Sequence, residues 1–286
     1  MARILLTVIL SLTANLAAAT TFHLGNSLTW DTSPALLPDA QWAVFCDKSL
    51  NFIVDNPADH CIGSSLLWPE AMATNTYDVV VVQPYIADTI ESATEDISML
   101  MALQPSAQFI IHTGWATFAD LLANYADPEN VHSAEFIDAV IDGLPRFAFS
   151  TRAVDALVWI ANDPSSPYAD ISELYRNTAH VTRGDGRYFM HNLLRRTMGE
   201  PFVETWTGGA TLPVVHKAYL DGLLSSGDYD WDGDVDGADF LIWQREYIPN
   251  TSAIVAVPEP NGALLAVTFS LLWFGKRFPN HNEIPR

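Results

Sequence analysis

Apolar positions along the chain fall into short runs that switch between two periodicities. TTFHLG at 20–25 is a brief run that ends on glycine and reads as a first strand. QWAVFC at 41–46 reads as a second. YDVVVVQ at 77–83 is the clearest strand, because four consecutive valines imply burial on both faces, as in a parallel sheet. AQFIIHTGW at 107–115 repeats that style. Between these last two, DTIESATEDISMLMALQP at 88–105 carries apolar residues at helical spacing and stops at Pro105. SAEFIDAVIDGL at 133–144 predicts another helix. The stretch 170–201 predicts a short helix, a loop with His180, and a second helix bearing Tyr188, His191 and Leu194. Strands alternating with helices predict an α/β fold: a parallel sheet with helices on both faces.

Ligands of such sheets sit beyond the carboxyl ends of the strands, so the residues after each strand carry the candidate chemistry. After the first strand come Gly25, Asn26 and Ser27. Ser27 has two readings there: a nucleophile held beside backbone N–H donors, or an ordinary helix cap. After the second strand comes HCIGSSLLWPE, where Gly63 is read as opening a helix and offering a backbone N–H to the same space. Gln83 leaves the valine strand with a carboxamide that can donate to developing negative charge or satisfy backbone groups. His180 comes late in the chain, and an early serine with a late histidine is one way to build a nucleophile–base pair. Chelation of a metal by His180, His191 and nearby acids competes with that reading, but the spacing fits no zinc template.

Charge narrows the classes. The 286 residues hold 34 acidic against 14 basic side chains, a formal net charge of −20. Such a chain repels nucleic-acid phosphates and anionic lipid, so no nucleic-acid partner is expected. MARILLTVILSLTANLAAA at 1–19 has one basic residue, an apolar stretch and an A-x-A ending, and reads as a secretory signal rather than a buried helix. Export makes disulfides available. Cys46 and Cys61 are the two cysteines, so they form one bridge or remain two buried thiols. A globular zone at 20–215 follows, then an acidic segment at 226–247 and an apolar tail at 257–277.

The acidic segment GDYDWDGDVDGADFLIWQREY is the sharpest local signal. Counted from Asp228, carboxylates fall at loop positions 1, 3, 5, 7, 9 and 12: Asp228, Asp230, Asp232, Asp234, Asp236 and Asp239. Gly233 stands at position 6, where a calcium loop turns sharply, and Val235 at position 8 is the inward apolar residue. The pattern predicts an EF-hand-like loop holding structural Ca2+; a solvated acidic linker is the alternative. The tail VPEPNGALLAVTFSLLWFGKR has an apolar stretch too short for a stable span, which needs about 20 residues, and reads at most as a transient or weak membrane anchor.

Four stretches in order, GNSLT, the glycine of HCIGSSL, VVVQP and LYRNTAH, resemble the blocks of secreted SGNH/GDSL-type hydrolases over residues 20–205. That resemblance implies a flavodoxin-like three-layer α/β/α sandwich and ester hydrolysis without a catalytic cofactor. It makes Ser27 the nucleophile, Gly63 and Gln83 oxyanion donors together with the Ser27 N–H, and His180 the general base. Asn177 stands where the family carries aspartate, three residues before the histidine. The acid's role then falls to the Asn177 amide or to a recruited carboxylate such as Asp170. The acidic loop with DFLIWQREY resembles a single dockerin type I repeat, which implies a cohesin-like or cell-surface partner. The tail resembles a PEP-CTERM sorting signal, which implies recognition by a membrane sorting protease and a final place outside the cell or in its envelope. Together these imply an exported esterase or deacetylase acting on a small-molecule or carbohydrate ester. The alternative is a non-catalytic surface or matrix protein that keeps the hydrolase fold as a scaffold.

Overall fold

The four valines of 79–82 sit at the centre of a parallel sheet and are all buried, as their unbroken apolar run requires. A computed structural model describes residues 20–229, 231, 233–237 and 239–240. The expected signal at 1–19 and sorting tail at 257–277 lie outside the described residues, as do Asp230 and Asp232. No helix among the described residues is long and apolar enough to cross a membrane.

In chain order the elements are β1 (Thr21–Gly25), α1 (Ser27–Asp31), β2 (Ala40–Val44), α2 (Leu50–Asp55), α3 (Trp68–Thr74), β3 (Val79–Val82), α4 (Ile90–Leu103), β4 (Gln108–Ile111), α5 (Leu121–Tyr125), α6 (Ala134–Gly143), β5 (Phe149–Ser150), α7 (Ala153–Asn162), α8 (Asp185–Thr197) and α9 (Val214–Leu224). Short 3-10 turns occupy Pro34–Leu36 and Ile171–Leu174. The described sheet has five parallel strands in the order β2-β1-β3-β4-β5. This is the flavodoxin-like order, and it reverses direction between β1 and β3.

Alternation along the strands divides the core into two layers. Phe22, Leu24, Ala43, Val80, Val82, Phe109 and Ile111 face one way and pack with Ile53, Met72, Ile97, Leu100 and Val140 of the helices α2, α3, α4 and α6. Val79, Val81 and Ile110 face the other way, toward Leu194 of α8. Each such fully buried side chain contributes about 1.5–3 kcal/mol relative to exposure. The three-layer α/β/α expectation holds.

One boundary differs. No helix opens at Gly63; α3 begins at Trp68, with Pro69 in its first turn, where a missing N–H costs nothing. Residues 61–66 run instead along the outer edge of β2. Cys61 N–H donates to Val44 C=O at 2.9 Å, and Leu66 N–H to Trp42 C=O at 2.9 Å. Val44 N–H donates to Ser65 Oγ at 3.1 Å. An otherwise bare sheet edge is thereby covered. The Cys46–Cys61 disulfide closes this loop onto the end of β2 across a separation of 15 residues, so of the two cysteine readings the bridge is the correct one.

Candidate active site

The reversal of strand order between β1 and β3 opens a crevice at their carboxyl ends, and Ser27 and Gln83 are the residues that leave those two strands. Gly25 is required here by crowding, not by backbone angle. A Cβ at that position would stand 2.2 Å from Thr29 Oγ1 and 2.7 Å from Gln83 Cβ. The end of β1 therefore lies flush against the side chain that leaves β3.

The cap of α1 is Asn26, whose Oδ1 accepts Leu28 N–H at 2.8 Å. Ser27 is the first helical residue and half-buried, and its hydroxyl makes no hydrogen bond among the described residues. Capping, the ordinary use of a serine at this place, is thus discharged by its neighbour. The Ser27 N–H belongs to the first turn and has no partner within the helix.

Gln83 is fully buried. Its Oε1 accepts both donors of Thr29, the backbone N–H at 2.9 Å and the hydroxyl in a shorter bond, and so holds the first turn of α1 to the end of β3. Its Nε2 has no partner among the described residues and lies beside Gly114, where a Cβ would approach it to 2.9 Å. Gly63 lies in the exposed loop outside β2, with open space around its Cα and no hydrogen bond on its N–H among the described residues. That loop reaches α1 through aromatic contacts. Trp42 donates to Ser64 Oγ at 3.1 Å, and its ring meets Trp30 of α1 at 5.5 Å.

The histidine loop is closed by its own residues. Tyr175 and Val181 form an antiparallel bridge, and Arg176 N–H donates to His180 C=O at 2.9 Å. Residues after β4 hold it from the other side: Trp115 Nε1–H donates to Ala179 C=O at 2.7 Å and Phe118 N–H to Thr178 C=O at 3.1 Å. Inside the loop Asn177 Oδ1 accepts three bonds, from Ala179 N–H at 3.1 Å, His180 N–H at 2.7 Å and the His180 ring Nδ1 at 3.1 Å. Two of these donors are backbone N–H groups, so the amide must present its oxygen rather than its nitrogen to the ring. The ring contact then requires the proton on Nδ1, which leaves Nε2 with a lone pair. Burial holds the His180 pKa below its usual value, Asp31 opposes that shift, and Arg176 and Arg187 reinforce it. His180 Nε2 and Ser27 Oγ share no hydrogen bond; such bonds often tighten only once substrate is bound.

Asp170, the alternative acid, is exposed and caps the 3-10 turn at Ile171–Leu174 through Ser172 N–H at 2.8 Å. The carboxylate that reaches the histidine loop is Asp31, which the sequence reading passed over. It is fully buried at the end of α1, and its Oδ1 receives Arg176 at 3.0 Å and Arg187 at 2.8–2.9 Å. Its only signal in the sequence is its spacing, four residues after Ser27 and hence on the same helical face. His180 and His191 are not brought together as metal ligands: His191 is buried on α8 with Nδ1 bonded to Thr32 C=O at 2.8 Å.

The acidic segment turns back on itself. Asp228 accepts N–H groups of Trp231 at 2.6 Å and Gly233 at 3.2 Å, and Gly233 takes φ +99°, a left-handed angle that favours glycine. Asp239 is buried and accepts the N–H of Tyr229 and, at 2.8 Å, that of Asp236. Carboxylate oxygens of Asp234, Asp236 and Asp239 lie within 4.8 Å of one another, a spacing one calcium ion can bridge. The loop is fastened to α8. Trp231 is buried against Phe189 at 6.2 Å, and Arg196 donates to Asp228 C=O at 2.9 Å while stacking 3.9 Å from the centre of the Tyr229 ring.

No family model matches the chain, and no curated protein matches it. Among solved structures the chain is similar to a DUF4886 family protein from Bacteroides uniformis, with a TM-score of 0.50 at 14% identity. The likeness covers 71% of this chain and 92% of that one, and it bears on the fold alone.

Proposed function

We propose that the protein is a serine hydrolase of the SGNH type that cleaves an ester, with Ser27 as nucleophile and His180 as general base. The observation that carries this reading is the division of labour at the end of β1. Asn26 caps the helix, so the Ser27 hydroxyl has no structural duty at the point where such sheets bind ligands. His180 supports it, because Asn177 keeps Nε2 unprotonated and able to accept a proton.

In the reaction His180 Nε2 takes the Ser27 proton as Oγ attacks the ester carbonyl carbon, and the carbonyl π pair moves to oxygen. The N–H groups of Ser27 and Gly63 are the donors for that oxyanion, while the buried Gln83 carboxamide, named with them on the resemblance, holds the first turn of α1. Collapse expels the alcohol, which takes the proton from His180. Water then repeats the two steps and releases the acid. Asn177 orients the imidazole but brings no charge to the imidazolium, so turnover is slow.

A carbohydrate ester is the substrate class we favour, on the resemblance of the acidic segment to a dockerin repeat. The same resemblance supports a structural Ca2+ in that segment and a cohesin-like or cell-surface partner. The Cys46–Cys61 bridge supports an exported protein, since such bridges persist in oxidising compartments. Hydrolysis of p-nitrophenyl acetate tests the enzyme. Wild type should turn over and Ser27→Ala should lose activity about 10³-fold or more. Turnover undiminished by Ser27→Ala would overturn the assignment. The second reading, a non-catalytic surface protein, draws on Asn177 and on the open Ser27–His180 pair. It is selected if wild type neither hydrolyses esters nor reacts with a fluorophosphonate at Ser27.

A further inference from the structure

The charge missing at position 177 raises the question of what else faces His180. Among the described residues its charged neighbours are Asp31, Arg176 and Arg187. These three form one cluster. Asp31 Oδ1 takes Arg176 from the histidine loop and Arg187 from the start of α8, while its Oδ2 is buried with no hydrogen-bond partner among the described residues. Arg176 also donates through its guanidinium to Val181 C=O and through its backbone to His180 C=O, so it grips both residues at the end of the loop. Asp31 lies in the same five-residue helix as Ser27, one turn further on. A single carboxylate therefore links the helix of the nucleophile to the loop of the base.

We propose that Asp31 is a positioning residue for His180, holding its loop to the Ser27 helix through Arg176 and Arg187 and offsetting the two guanidiniums that would otherwise oppose the imidazolium. The assignment deepens the hydrolase reading and rests on it for its catalytic meaning. The physical case has two parts. Arginines facing an imidazole destabilise its protonated form, and a carboxylate bonded to both reduces that repulsion. A buried carboxylate whose partners are two guanidiniums also fixes geometry, because removing either side leaves an uncompensated buried charge.

The two parts give opposite signs for substitutions on the two sides of the same contact. Asp31→Asn should lower the His180 titration midpoint followed by NMR. Arg176→Gln should raise it. A merely structural tether would shift neither in that paired way. In ester hydrolysis Asp31→Asn should reduce kcat about ten- to a hundredfold, with KM within about twofold. Because Asp31 is buried, Arg176→Gln, on a partly exposed side chain, decides the matter if Asp31→Asn does not fold. A His180 midpoint unmoved in a folded Asp31→Asn, or not raised in Arg176→Gln, overturns the proposal. Failure of the hydrolase reading looks different: Ser27→Ala would leave hydrolysis unchanged, while the paired NMR shifts would still show Asp31 acting on His180.

Discussion

At the residue scale, the unusual feature is an amide where a triad acid is expected. In serine proteases that exchange costs about 10⁴ in kcat, largely because the imidazole takes the wrong tautomer. Here the two backbone N–H groups that fix the Asn177 oxygen enforce the right one, so only the charge is lacking. Asn177→Asp should therefore raise kcat/KM toward esters by about tenfold or more, measured at neutral pH with p-nitrophenyl acetate. The same variant bears on pH dependence. Burial keeps His180 below its usual value, so it is unprotonated and competent as a base above that lowered pKa. Wild-type kcat/KM should rise with pH along a limb centred below the ordinary histidine value of about 6.5, and Asn177→Asp should move that limb upward. A limb centred above pH 7 in wild type would contradict the assignment of His180 as base. The candidates Ser27, Gly63, Gln83, Asn177 and His180 come from the order of blocks along the chain. Asp31, Arg176 and Arg187 were not legible there, because a buried ion cluster leaves no pattern when its members lie about 150 positions apart.

At the element scale, short helices and loops are held by partners distant in sequence. The first turn of α1 depends on Gln83, the histidine loop on Trp115 and Phe118, and the Gly63 loop on the edge of β2 and a disulfide. A crosslink closing about 15 residues contributes roughly 3 kcal/mol in a chain-entropy account. The acidic loop follows the same rule, since Trp231 and Arg196 fasten it to α8. If the loop holds Ca2+, the ion stabilises a segment packed on α8, not a separate appendage. Calcium in excess over a chelator should raise the melting temperature of the whole protein by several degrees, while Asp239→Ala should abolish that increment. A melting temperature indifferent to calcium would remove the metal from the account. Strand positions were read correctly for β1 to β4, since their apolar runs are local signals. The helix expected at Gly63 was not formed, because the sheet edge claims those backbone groups.

At the scale of the whole molecule, the buried titratable groups set the response to acid. His23 and His112 are held neutral by burial, with pKa values lowered to about 3, and His132 is lowered to about 4. Each favours the folded state fully above the unfolded pKa of about 6.5 and loses that contribution as pH falls toward the folded value. Asp96 and Asp155 act the other way, because burial raises them to about 6 and they protonate in the folded state first. Buried histidines gain protons on unfolding in mild acid and the raised carboxylates lose them, so the two sets oppose one another. The neutral buried imidazoles should make stability fall as pH drops below about 6.5, against the opposing carboxylates, measured by urea unfolding. His112→Gln should flatten that slope, and an unchanged slope would show that the buried imidazoles do not set it.

The sequence by itself determined the fold class, because hydrophobic periodicity is a local property and four valines in a row have few places to go but a covered parallel strand. It also determined the order of the candidate catalytic residues. Only the tertiary structure decided that Asn26 rather than Ser27 caps α1, that Gln83 is pinned between Gly25 and Gly114, and that Asp31 joins the Ser27 helix to the His180 loop. Those outcomes depend on which buried donor meets which acceptor once the sheet has closed. Long-range pairing of that kind is settled by desolvation and packing, neither of which is written in any short stretch of chain.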